Sequence, residues 1–125
     1  TDTTLLWDSE AYDYGSLHST SSNTGRITFT DTGIYLVTAN IMYPTNGTGY
    51  RWVGLRLNGA FIFAEESRTG ASVVTNLGLS LTEQVNIATP GDYLEVRTKQ
   101  TTGGAISIVG GSTKSTFSAI WMAPT

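Results

Sequence analysis

The chain has no cysteine, which removes a disulfide framework, a thiol nucleophile and a thiolate metal site together. Its one histidine, His18, stands in a stretch of Ser, Thr and Asn. A Ser-His-acid triad would depend on that residue, and no serine sits on a G-x-S-x-G elbow to accompany it. Positive charge is scarce. Seven Lys and Arg face ten Asp and Glu for a net charge of −3, and their scatter argues against a duplex nucleic-acid partner. No apolar run reaches the ~18–20 residues of a membrane-spanning helix, and no signal peptide opens the chain. Gly103-Gly104 and Gly110-Gly111 lack the Lys-Ser/Thr that completes a phosphate-binding loop. Long Ala/Glu/Lys/Leu segments with helical period are missing too. Fourteen glycines and abundant Ser and Thr stand in their place.

The remaining pattern is that of β-strands separated by turn chemistry. Phe29 to Tyr43 carries most information. The Asp31-Thr32-Gly33 turn feeds a strand in which Tyr35, Val37, Ala39 and Ile41 alternate with Leu36, Thr38, Asn40 and Met42. No charge falls between Ile34 and Tyr43. A strand wetted on one face shows charges or long polar groups there, so both faces of this one are expected to be covered, the second by a neighbouring subunit. Further strands are expected at Thr3–Asp8, Arg26–Thr30, Tyr50–Leu57, Ala60–Glu65, Val73–Ile87, Tyr93–Lys99, Ala105–Val109 and Thr116–Ala123. Asn58-Gly59 makes a hairpin, and Pro90-Gly91 makes a turn. At 125 residues and 39% hydrophobic content, residues 1–125 read as one domain. With no repeat, that domain is an all-β sandwich or jelly roll.

Four motifs then occur in one order: Gly33-Ile-Tyr-Leu-Val37, Leu55-Arg-Leu-Asn-Gly59, Gly91-Asp-Tyr-Leu-Glu-Val96 and Ser115-Thr-Phe-Ser-Ala119. In that order and spacing the chain resembles the C1q/TNF-like jelly-roll superfamily. Its N-terminal LLWDSEAYDYGSLHSTSSNTGRITF is similar to C1q-like modules of tailed-bacteriophage structural proteins. The family's usual collagen-like Gly-X-Y stretch does not appear within the sequence. The resemblance implies a ten-stranded jelly roll forming a compact homotrimer. It places Ile34–Tyr43, Tyr93–Lys99 and Thr116–Ala123 in one sheet around the threefold axis. Tyr35, Val37, Leu94, Val96, Phe117, Ala119 and Trp121 then fill the core. Leu36, Thr38, Asn40, Tyr93, Glu95, Arg97, Ile120 and Met122 form the trimer interface, with Glu95 and Arg97 able to pair across subunits.

The functional expectation is a non-catalytic trimeric module on a phage virion or other extracellular surface. It would serve as head decoration, fibre or tail tip, with a capsid protein or a host-surface glycan or protein as partner. The alternative is a bacterial or secreted C1q/TNF-like adhesin or receptor ligand. No cofactor and no metal are expected. Asp8, Glu10 and Asp13 are oxygen donors close in sequence, but they lack the density and glycine placement of a calcium loop. As a glycosidase pair they would need a deep cleft, which nothing else in the sequence suggests. Asn46-Gly47-Thr48 fits a glycosylation sequon by pattern only. If Val53, Leu55 and Leu57 point inward, Tyr50, Trp52 and Arg56 point outward, and a flat Trp beside Tyr and Arg makes a platform for a sugar or protein.

Overall fold

Alternation of side chains decides the central strand. In the computed structural model β3 (Gly33–Tyr43) buries every second residue, from Gly33 and Tyr35 through Val37, Ala39 and Ile41 to Tyr43. The structure describes residues 3–10, 13, 15–44, 47–59, 61–69, 77–104, 106, 108–110 and 115–124, with backbone alone at 61–69 and 77. Among them are eight strands and no helix. Besides β3 these are β1 (Thr3–Thr4), β2 (Arg26–Thr28), β4 (Tyr50–Leu57), β5 (Phe61–Thr69), β6 (Leu77–Ile87), β7 (Tyr93–Gln100) and β8 (Thr116–Ala123).

Every strand pairing is antiparallel, and the strands form two sheets. The smaller has the order β6-β3-β8; the larger runs β1-β7-β4-β5, with β2 beside β1 along the same flank of β7. Tyr35, Val37, Ile41, Leu81 and Val85 of the smaller sheet share one core with Ile27, Val53, Leu55, Leu94 and Val96 of the larger. Each such side chain contributes roughly 1.5–3 kcal/mol by leaving water.

Turn chemistry is local and specific. Asn58 and Gly59 hold φ of 55° and 74°, the pair of positive values that a tight hairpin turn needs. Thr89-Pro90-Gly91-Asp92 closes with Asp92 N–H donating to Thr89 O at 3.1 Å, Gly91 having φ of 98°; proline second and a positive-φ glycine third define a type II turn. Gly91 N–H also donates to Phe29 O, and Phe29 N–H to Asp92 O. These bonds carry the chain leaving β6 across to the opposite sheet.

That crossing corrects one expectation. β7 does not share a sheet with β3 and β8; it pairs with β4 through Leu55↔Val96 and with β2 through Ile27↔Leu94. Other differences are smaller. The first strand shortens to Thr3–Thr4: Leu5 N–H still bonds Val96 O, one position beyond Thr4↔Arg97, but Trp7 N–H turns away from β7 to Thr24 O. Ile106, Ile108 and Val109 lie in no strand, although Val109 N–H reaches Met42 O at 2.9 Å. Residues 73–76 of the expected long strand lie outside the described residues. Trp121, expected in the core, is 49% exposed. The register of β8 slips beside Ile34 and Tyr35, and the indole instead lies over the preceding turn, where Nε1 donates to Thr32 O at 3.3 Å. Gly33 is required beneath it: φ is 149°, and a Cβ there would collide with the Trp121 ring.

Candidate functional site

The outward face of the smaller sheet is built from the half-buried alternates of β3. Leu36 is flanked by Gln84 and Ile120, Thr38 by Thr82 and Ser118, and Asn40 by Ser80 and Thr116. No residue in these three rows is charged. Asn40 Nδ2–H donates to Thr116 Oγ1 at 3.2 Å, which fixes one row. At the other end Ile120 is 53% and Met122 45% exposed. An uncharged sheet face with an exposed aliphatic end has the composition of a protein–protein contact.

Five of the expected interface residues, Leu36, Thr38, Asn40, Ile120 and Met122, belong to this sheet. Tyr93, Glu95 and Arg97 do not, because β7 lies in the opposite one. There Glu95 is nearly covered, and Arg26 Nη2 lies 3.8 Å from its carboxylate. The Arg26 guanidinium also stacks 3.8 Å from the Tyr93 ring centre, while Arg97 Nη1 donates to Thr4 Oγ1 at 2.6 Å. The expected Glu95–Arg97 pairing between subunits therefore meets a Glu95 already paired within its own chain.

The expected aromatic platform is also altered. Tyr50 and Arg56 are half-buried, but Trp52 is only 8% exposed. Lys99, its cross-strand partner, holds its ammonium 5.1 Å from the indole centre. Arg56 donates to Gly59 O at 3.4 Å and stands opposite Glu95 in register. Trp52 is thus covered from within, and the flat ring is not on offer to a ligand.

One polar cluster was missed. Arg51 is fully buried, and its Nη1 donates to Thr48 O at 3.3 Å. It shares parity with Val53, Leu55 and Leu57, and that parity already places it inward. Nearby, the buried Tyr43 hydroxyl donates to Trp52 O at 3.2 Å and meets Thr98 Oγ1, which itself donates to Trp52 O at 3.1 Å. Burial raises the Tyr43 pKa, against smaller opposing effects of the Thr98 hydrogen bond and the Arg51 charge. Tyr35 is raised as well, by burial first and the Asp31 charge second.

The N-terminal loop is organised by its own acids. Asp13 accepts from the amides of Leu17 and His18 at 2.9 and 3.1 Å. His18 Nε2–H donates to Thr24 O at 2.9 Å, and its Nδ1 lies 3.4 Å from Glu10. Asp8 is not brought into that network, and no group of three potential metal ligands forms among the described residues. Between this loop and β8 runs a groove of about 1290 Å³, with the Trp7 and Phe117 rings in its lining, their centres 5.9 Å apart and their planes tilted by 41°. No protein-family model matches the chain, and no curated protein matches it.

Proposed function

We propose that the chain is a C1q/TNF-like jelly-roll module that forms a homotrimer and binds, without turnover, at a virion or other extracellular surface. The observation that carries this reading is the uncharged face of the β6-β3-β8 sheet, with Leu36, Ile120 and Met122 at its exposed end. Copies of the chain are its occupants, and the interface comprises Leu36, Thr38, Asn40, Ile120 and Met122; Tyr93, Glu95 and Arg97 drop out. The sequence motifs add the threefold geometry through their resemblance to the superfamily. A trimer turns one weak site into three, and linked contacts exceed a single affinity by ~10²–10⁴ when they engage together. Shallow loop sites contacting a capsid protein or a host-surface glycan are then sufficient, with no cofactor.

The test has two arms. Light scattering at ~10 μM should give three times the 13.4 kDa chain mass, from contacts of ordinary size, ~1,200–2,000 Å² each. Met122→Arg, which places charge against a dry contact, should shift the mass towards monomer. A wild-type monomer refutes the assembly, and a variant that stays trimeric refutes the assigned interface. Labelled trimer should bind purified capsids or host cells. Binding to neither, or hydrolysis of a surface polysaccharide, refutes the binding role.

A further inference from the structure

We propose that the free edge of β8 and the groove beside it take an extended, cationic peptide segment of a partner protein as an added strand. Among the described residues β8 pairs with β3 only, so its second row of backbone amides and carbonyls has no neighbour. Proteins blunt such edges with charge, proline or a covering loop. β8 reads TFSAIWMA, with neither charge nor proline. The loop that might cover it is tied elsewhere: Leu5 N–H bonds Val96 O, Trp7 N–H bonds Thr24 O, and Leu17 O accepts from Thr28 N–H. The groove remains between that tethered wall and β8.

Its lining states what kind of strand fits. Apolar groups such as Leu17, Ile27, Phe117 and Ala119 line it, and Leu6 and Trp121 are 73% and 49% exposed. Four carboxylates, Asp8, Glu10, Asp13 and Asp31, also line it, and no described lining residue is Lys or Arg. Asp8 and Asp31 are exposed, and no described residue pairs with either carboxylate. Side chains of an added strand alternate, so one series meets the apolar lining and the other, if basic, meets the acids. A second copy of this chain is a poor occupant, since edge-to-edge pairing would bring two sets of the same carboxylates together. Ile120 belongs both to this lining and to the face assigned to trimerisation, so the assembled protein is the proper test object.

The probe is a fluorescein-labelled octapeptide of alternating valine and lysine, followed by anisotropy, with valine-glutamate as the counterpart. The lysine peptide should bind and the glutamate peptide should not. Asp8→Asn with Asp31→Asn should weaken binding by about tenfold and flatten its salt dependence; both sites are exposed, and an unchanged melting temperature checks the fold. Two further lysine peptides, N-methylated at the valine or at the lysine amides, test strand addition directly. Only alternate amides face the neighbouring strand, so one of them should lose binding and the other keep it. Equal binding of both methylated peptides leaves only charge attraction and overturns the proposal. So does equal binding of the lysine and glutamate peptides, an unaffected double variant, or self-association through β8 that excludes the peptide.

Discussion

Replacing Tyr43 by phenylalanine deletes one oxygen from the middle of the molecule while keeping the ring. The lost hydroxyl is fully buried, donates to Trp52 O and meets Thr98 Oγ1. Thr98 itself donates to the same carbonyl, so the substitution orphans no acceptor. The cost is then that of a net hydrogen bond, about 0.5–1.5 kcal/mol, and not the larger penalty of a stranded polar group. For a chain of this size that is roughly 2–6 °C in melting temperature. Urea unfolding at matched protein concentration measures it. The pH dependence gives a second, independent reading. Burial raises the Tyr43 pKa above its ordinary 10.0, so the folded protein keeps this proton after the unfolded chain has lost it. Stability from this site is complete below the unfolded pKa and falls as pH climbs towards the folded one, by up to ~1.4 kcal/mol per pH unit. Phenylalanine has nothing to lose there, and Tyr35, also raised, is common to both proteins. The wild-type advantage should therefore shrink above about pH 10 and then reverse. A gap that stays constant from about pH 8 to about pH 11 would contradict a buried neutral hydroxyl. A cost above ~3 kcal/mol at neutral pH would contradict Thr98 as the standby donor.

Asn58→Ala should cost about 1–3 kcal/mol, because it loses the bonds to Asp92 Oδ1 at 3.1 Å and from Tyr93 N–H at 3.0 Å and puts alanine at φ 55°. Asn58→Gly removes only the bonds, so its thermal unfolding should show a smaller loss; equal losses would mean that the backbone angle contributes nothing. Gly49→Ala should cost more than ~3 kcal/mol or prevent folding, since φ is 71° and a Cβ there would overlap the Thr101 carbonyl. An unshifted melting curve would show that the two segments do not touch.

Much of the fold was legible because it rests on local rules. The charge-free alternation of Ile34–Tyr43 named the right inward residues, and Asn58-Gly59 and Pro90-Gly91 are turns whose φ values those residues favour. The sheet to which β7 belongs was not legible, since its alternation is satisfied equally against β3 or β4. Backbone bonds between Phe29 and the Gly91-Asp92 turn decide the matter, and no periodicity reports them. Side-chain parity put Trp52 outward, as its strand dictates, but exposure depends on the neighbour, and Lys99 lies over the ring. Trp121 departed because a register slip at an edge strand overrides alternation. Arg51 was legible by the same parity that named Val53 and Leu55, yet a charged residue inside a sandwich runs against composition. The groove beside β8 depends on where loop amides find partners, and single residues do not encode that.

The pairing of β3 with β8 also sets a schedule for synthesis. Asn40 and Thr116 are hydrogen-bonded neighbours 76 positions apart. At a translation rate of ~5–20 residues per second, the ribosome needs roughly 4–15 s to travel between them. Over that interval β3 can acquire β6 on one side, while the edge that will meet β8 stays bare and carries no charge to repel another nascent chain. Crowded polysomes making this protein would therefore bring bare β3 edges close together, and a chaperone that shields a single hydrophobic strand for a few seconds would serve it better than one that encloses a finished domain.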